Sequence, residues 1–370
     1  MTTTQEPLTN RSASEEHNYP TLLRIGHKYV TTLGQRLAVG GFRGPQDIAV
    51  SPDGSYYVLN RGSANLQQVP RTRYVRVNIE DEGYENDIVP EIDGLVLSEG
   101  DDRLPSPVMC VLDCAATLFN TDERANAVVA INTSGETIGV WGESGDGPGH
   151  LNGPSGIALD ADENLWVVNS RDHRVQHFTR DGKYLGGFGE LGNQPGQLNH
   201  PWGISVDPVD GTLVVADWHN SRVQRFSTDG TAMQIIGSPG TGVGELDHPS
   251  GVVVDRYGDI YVADRNNHRV LMFNWRGNFI ESFRGDATIN PRGISRLMGN
   301  PDILRQRDNI INLDREKRLK YPTSVRVDNE GRLFITDTGR YRVQIYEKLC
   351  RVLQPHEVED AALHVDPGLN

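Results

Sequence analysis

One pattern recurs at least four times along this chain, and a repeat of this length dictates the fold before any single residue is considered. Aligned on an opening proline, the copies read Gly153-Pro154-Ser155-Gly156-Ile157, His200-Pro201-Trp202-Gly203-Ile204, His248-Pro249-Ser250-Gly251-Val252 and Tyr321-Pro322-Thr323-Ser324-Val325. Each runs on through an Asp-rich turn and an apolar stretch ending in Asp or Asn to an Arg-Val pair: Arg174-Val175, Arg222-Val223, Arg269-Val270 and Arg342-Val343. Two weaker copies open at Gly44-Pro45 and at Pro107. The prolines are therefore spaced by 62, 47, 47, 48 and 73 residues.

Within a unit the periodicity is that of strands. Gly156 to Leu159, Leu165 to Val168, Val175 to Phe178 and Tyr184 to Phe188 are short apolar or alternating runs, parted by turns at Asp160 to Asn164 and at Asp181-Gly182. Four strands make one blade, so six units predict an all-β, six-bladed propeller. The last unit runs out after its third strand, at Arg342 to Tyr346. The run Tyr29 to Gly34 has the pattern of a fourth strand, and its pairing there would close the ring without leaving a free sheet edge. The expected organisation is a disordered tail over 1–20, the propeller over 21–348 and a C-terminal tail over 349–370.

A net charge of -14 argues against general binding to nucleic acid or to an anionic membrane. Cys110, Cys114 and Cys350 form no paired framework and read as reduced thiols of a cytoplasmic protein. Cys110 and Cys114 are expected on one strand, facing one side, as small core residues. Met1 to Glu16 is polar and no apolar run of about 18 residues occurs, so neither a secretion signal nor a membrane span is expected.

The sequence Ile260-Tyr261-Val262-Ala263-Asp264-Arg265-Asn266-Asn267-His268-Arg269-Val270, following Pro-x-Gly-Val, resembles the NHL repeat. The resemblance spans about 45–348 and implies the propeller fold. NHL propellers include protein- and RNA-binding modules and a lyase that completes peptide amidation. In that lyase, zinc-binding histidines directly follow the opening proline. Here those places hold Gln46, Val108, Ser155, Trp202, Ser250 and Thr323, so neither that zinc site nor the peptide substrate carries over.

A blade's chain runs up and down, so the turns between strands two and three share a face with the connections between blades. Call this the upper face. The lower-face turns are short and conventional. Three insertions, at 61–73, 92–106 and 285–320, all fall on the upper face, where they would wall a pocket over the channel. Ile303 to Arg318 is expected to form a charged helical lid.

The same face gathers unusual side chains for an acidic protein. Arg43, Gln46, Asp47, Trp202, Trp218 and Tyr321 are the candidate substrate-binding residues, suited to an anionic or carbonyl-bearing, aromatic ligand. His200, His248, Arg171, His219, Arg265 and Arg340 are the candidate catalytic residues. His200 and His248 occupy equivalent places on adjacent blades. They suit either a divalent metal, zinc or calcium, with Asp47 or His219 as third ligand, or an acid and base pair, or simple hydrogen bonding. Asp217, Asp264 and Asp337, each five residues before a repeat arginine, read as structural ion pairs, and His173 and His268 as packing or solvent-facing residues. No nucleophile elbow, phosphate loop or His-Glu-x-x-His is present. The expected function is that of a hydrolase or lyase acting on a small organic substrate. The alternative is a scaffold that binds a protein partner through the same face.

Overall fold

The computed structural model describes residues 19–34, 42–51, 53–61, 73–79, 83–88, 106–288, 316–354 and 356–357. They form six four-stranded antiparallel sheets, one per sequence unit, joined by a small two-stranded parallel bridge at Ser238–Pro239 and Glu245–Leu246. In the third blade the strands are Pro154–Leu159, Leu165–Asn169, Arg174–Phe178 and Tyr184–Phe188. The two weak copies, opened by Pro45–Val50 and Pro107–Leu112, are complete blades as well. The three insertions lie almost wholly outside the described residues. Of the lid expected over Ile303 to Arg318, only Glu316 to Arg318 are described.

Both faces of each sheet are apolar because each is covered by a neighbouring blade. Six core clusters result, one for every junction. Val214 and Val223 of blade four pack on Val252 and Val262 of blade five, and Phe334 and Ile345 of blade six pack on Ile48 and Val58 of blade one. Burial is then continuous around the ring, and no blade has a core of its own.

The Pro-x-Gly signature has a steric cause. The six innermost strands converge on the axis, and a Cβ at Gly156 would lie 2.5 Å from the Trp202 carbonyl oxygen of the next blade. At Gly203 the obstacle is the Ser250 carbonyl at 2.6 Å, and at Gly251 it is the Ser324 Cα at 2.7 Å. Hydroxyls one residue earlier lace the same seam. Ser155 donates to the Trp202 carbonyl at 2.8 Å, Ser250 to that of Pro322 at 3.1 Å, and Thr323 to that of Gln46 at 2.9 Å. Trp202 stands in this column without a hydroxyl.

In blades four to six the repeat arginines bind the blade to the connector before it. Arg222 Nε donates to Asp217 at 2.8 Å while its Nη groups donate to the carbonyls of Asn193, Gln194 and Gln197. Arg269 and Arg342 repeat this on Asp264 and Asp337. The second carboxylate oxygen accepts a connector N–H, such as that of Asn199 at 2.7 Å. These pairs are structural, as the spacing of five residues predicts.

The ring closes as expected, with a longer clasp. Leu22–Leu33 pairs antiparallel with Arg342–Val352, from Leu22 opposite Val352 to Leu33 opposite Val343. The predicted strand began at Tyr29. Its first half escapes notice in the sequence because Arg24, His27 and Lys28 interrupt the apolar alternation, yet these charges fix it to blade five. Arg24 forms a two-point pair with Asp259 at 2.6 and 3.0 Å, and His27 bonds Glu281 at 2.7 Å and Tyr261 Oη at 3.1 Å. Lys348 on the partner strand is 3% exposed, between Asp255 at 2.5 Å and Asp259 at 2.6 Å. Burial pushes the Asp255 carboxyl above its ordinary value, and Lys348 opposes that shift.

One further expectation is corrected. The strand holding Cys110 ends at Leu112, where Asp113 caps a turn by accepting the Thr117 N–H at 2.7 Å. Cys110 is therefore buried in the core, and Cys114 is exposed on the turn.

The clasp makes two outcomes testable. Deleting residues 1–18 should leave the cooperative unfolding transition in place, whereas deletion through Leu33 should abolish it or cause aggregation, because a full edge of blade six is bared. Lys348→Ala, which strands a buried carboxylate, should cost about 3–5 kcal/mol by urea denaturation. Arg351→Ala, from a surface pair with Glu357, should cost about 0.5 kcal/mol. Equal midpoints for the two substitutions would show that the lower clamp does not hold the ring.

Candidate active site

Six residues form a ring around the upper mouth of the channel, because each directly follows the Asp or Asn that pairs with an opening proline. They are Arg61, Glu123, Ser170, Trp218, Arg265 and Thr338. Four are occupied with holding blades together. Thr338 donates to the Pro45 carbonyl at 2.5 Å, Ser170 to that of Pro201 at 2.5 Å, and Glu123 accepts from Arg61 at 2.5 Å. Trp218 and Arg265 are free of such duties. The Arg265 guanidinium lies over the Trp218 ring at 5.4 Å and over the Tyr321 ring at 5.9 Å. Its Nε is buried without a hydrogen-bond partner, and no carboxylate pairs with it among the described residues. Burial first, and then the charge of Arg61, hold this guanidinium below its ordinary value.

The histidines converge beside it. His173, His200, His219 and His248 form one row, with ring centroids 4.5, 4.5 and 5.7 Å apart in that order. His248 meets Trp218 edge-on at 5.3 Å, and Trp218 lies 5.2 Å from Trp202. His200 and His248 thus meet through His219, which stands between them.

Local backbone geometry explains the row. The residue before the opening proline is left-handed in five of the six blades: Gly44 and Gly153 in two, and His200 (φ 48°), His248 (φ 54°) and Tyr321 (φ 52°) in blades four to six. The strand starts only at the proline, so these side chains are aimed by a turn and not by strand alternation. Bulky side chains are disfavoured at positive φ, and their presence on three consecutive blades where glycine serves elsewhere marks them as retained for contacts of their own.

The left-handed residue that follows each upper turn has another task. His173 Nδ1 accepts the His200 N–H at 2.9 Å, and His268 Nδ1 accepts that of Tyr321 at 3.2 Å, where blade two uses Asn126 Oδ1 on Gly153 at 2.7 Å. His173 and His268 are packing residues, as expected, and they also latch neighbouring blades. The latch places the proton of His173 on Nε2. His248 Nδ1 bonds Asp247 at 2.5 Å and His200 Nδ1 faces Asn199 Oδ1 at 3.3 Å, so each presents Nε2 as an acceptor. Burial, reinforced by neighbouring imidazoles, lowers the pKa values of His200 and His219; burial also lowers that of His173. His173, His200 and His219 are therefore predominantly neutral at pH 7.

The other candidates are placed differently. Arg171 is exposed, and its charge reaches His200. Arg340 pairs with Glu316 and donates to the Arg318 carbonyl at 3.2 Å, at the foot of the third insertion. Arg43 has a buried, unpartnered Nη1. Gln46 bonds its own turn at Gly44. Asp47 is fully buried, and its oxygens accept from Arg326 and from the Cys110 N–H at 2.9 Å, which ties blades six, one and two together along the channel. Its carboxylate is thus committed below the mouth. Among the described residues no group of three or more His, Cys, Asp or Glu converges so as to hold a metal ion. No helix among them is long and apolar enough to cross a membrane.

With this geometry in hand, comparison with known proteins is informative on the fold. The NHL repeat family model matches residues 151–178, 198–226, 246–273 and 319–346, the four strong copies. The protein is a six-bladed propeller that contains four NHL repeats. A search of curated proteins found no match. Among solved structures, virginiamycin B lyase from Staphylococcus aureus, in a catalytically inactive form with quinupristin, is 14% identical with a TM-score of 0.52, over 86% of this chain and 87% of that one. A streptogramin B lyase is 13% identical with a TM-score of 0.52, over 86% and 97%. A protein of unknown function from Bacteroides thetaiotaomicron is 15% identical with a TM-score of 0.56, over 87% and 76%.

The His173 latch has a pH signature. Its folded pKa lies below the ordinary 6.5, so the stability it contributes is present above that value and is lost as pH falls through the folded one. His173→Asn copies the blade-two latch with a group that does not titrate. The urea midpoint of the wild type should drop between about pH 7.5 and 5.5, and that of His173→Asn should drop less. Identical drops would show that the latch is not coupled to this proton.

Proposed function

We propose that the protein is an enzyme, a lyase or hydrolase that works by general acid and base transfer on a small organic substrate with an anionic or carbonyl group, seated over the upper mouth. The observation that carries this reading is the juxtaposition of a row of neutral imidazoles with an unpartnered Arg265. A neutral imidazole takes up a proton near pH 7, and an unpaired guanidinium in a half-buried site stabilises negative charge that develops on a substrate oxygen.

In such a reaction Nε2 of His200 or His248 removes a proton from the substrate or from a water molecule. The imidazolium formed in this way then returns that same proton to the leaving group. Asp247 holds His248 in the required tautomer and would favour its charged form during transfer, the role of an orienting carboxylate. Trp202 and Trp218 supply a wall for the apolar part of the substrate. The likeness in fold to a lyase whose inactive form carries a histidine-to-alanine substitution is compatible with this reading.

The test is an untargeted mass-spectrometric comparison of a small-molecule extract incubated with wild-type protein and with the His200→Ala and His248→Ala variants. A compound consumed by the wild type should be consumed on the order of 100-fold more slowly by each variant, with unfolding midpoints little changed. Activity should fall as pH drops through the depressed imidazole values, because the base form is lost. If both variants turn over every wild-type substrate within a few-fold, the row is not catalytic.

A further inference from the structure

The proposed reaction leaves the substrate's binding determinant open, and three features of the mouth narrow it. First, Arg265 lies within cation–π distance of two aromatic rings, those of Trp218 and Tyr321. A guanidinium held over rings in this way keeps its fork free to receive a planar acceptor in two parallel hydrogen bonds. Second, two buried guanidinium nitrogens on this face, Arg265 Nε and Arg43 Nη1, have no hydrogen-bond partner. Third, Trp218 is partly exposed and adjoins Trp202 at 5.2 Å, which offers a π-surface beside the charge. The nearest neighbouring charge in the ring, Arg61, is also positive, so a cation would be repelled here.

We propose that the upper mouth recognises an aromatic or otherwise conjugated carboxylate, its carboxylate paired with Arg265 and its flat body on Trp218 and Trp202. This deepens the proposed function by naming its substrate class and rests on the same site, but it requires binding only and no turnover. A carboxylate suits the planar fork better than a phosphate does, because its two oxygens lie in one plane with the guanidinium. The aromatic wall adds stacking that inorganic phosphate cannot use.

The probes are benzoate and cinnamate, their neutral counterparts benzamide and cinnamamide, and inorganic phosphate, each titrated into the full-length protein by calorimetry with ligand-observed NMR. The carboxylates should bind, and the amides should bind at least about tenfold more weakly. Arg265→Gln should cost the carboxylates about tenfold or more and the amides little, and Arg265→Lys should restore only part, since an ammonium lacks the fork. Trp218→Ala should weaken carboxylates and amides alike. Arg256→Gln, on the lower face and bonded to the Asn329 carbonyl, serves as the control and should change nothing. The proposal is overturned if amides bind as well as carboxylates, if Arg265→Gln leaves carboxylate affinity unchanged, if phosphate binds as tightly as benzoate, or if no carboxylate binds up to roughly 10 mM. The His200→Ala variant separates the two readings. Carboxylate binding that survives in it without any turnover in the wild type leaves the binding site standing and removes the catalytic one.

Discussion

The close approach of the six innermost strands is the constraint on which everything else depends. With Cβ-to-backbone separations of 2.5–2.7 Å at Gly156, Gly203 and Gly251, any side chain there would push neighbouring blades apart. The constraint holds at the junctions of blades three to six, while the other three units carry Asp47, Met109 and Ser324 in this column. Glycine at these points lets backbone carbonyls approach the axis, where hydroxyls such as Ser155 and Thr323 satisfy them. Burial of those carbonyls without partners would cost more than the apolar packing of a short inner strand returns. Apolar packing between blades supplies the bulk of the stabilisation, but the glycines decide that the packing can exist.

A second layer of constraint fixes the upper face. The Asp–Arg pairs at Asp217 and Arg222, Asp264 and Arg269, and Asp337 and Arg342 are almost fully buried, and each arginine spends its remaining donors on connector carbonyls. Removing one partner would leave a charge uncompensated, so the connectors are locked to the blades with little freedom. The turns that carry Trp218, His219 and Arg265 begin one or two residues after these aspartates. Their side chains are therefore held by buried ion pairs and not by loops that must order on binding, which is the kind of support a preorganised site requires.

Much of this was legible in the sequence because the repeat is strict where packing is strict. The proline, the glycine and the Asp-to-Arg spacing of five residues gave blade number, closure and the structural ion pairs. What escaped had a physical reason in each case. The first half of the closing strand is charged, since it answers to Asp259 and Glu281 on another blade. A left-handed turn before the proline aims His200 and His248, and periodicity carries no signal for a single φ. Asp47 looked like a mouth residue because its place in the repeat is near the axis, but Arg326, 279 residues away in sequence, claims it. Arg61 went unremarked although it shares a column with Trp218 and Arg265. Comparing that one column across all six units would have exposed the ring at the mouth.

The two faces of the disc differ in how completely their charges are answered, and this locates function. On the lower side Lys348, Arg24, Asp255 and Asp259 form a closed set, as do Arg180, Asp113 and Glu163. Charges in such sets are spent on structure. On the upper side Arg265 faces two rings, Arg43 has an unmet buried donor, and burial lowers the pKa values of three imidazoles. The two guanidinium groups are those that an anionic ligand would favour. An acidic residue in the column of Trp218 would pair with Arg265, as Glu123 does with Arg61. The tryptophan that stands there instead leaves the guanidinium without a carboxylate partner among the described residues, which suits recognition of an anion.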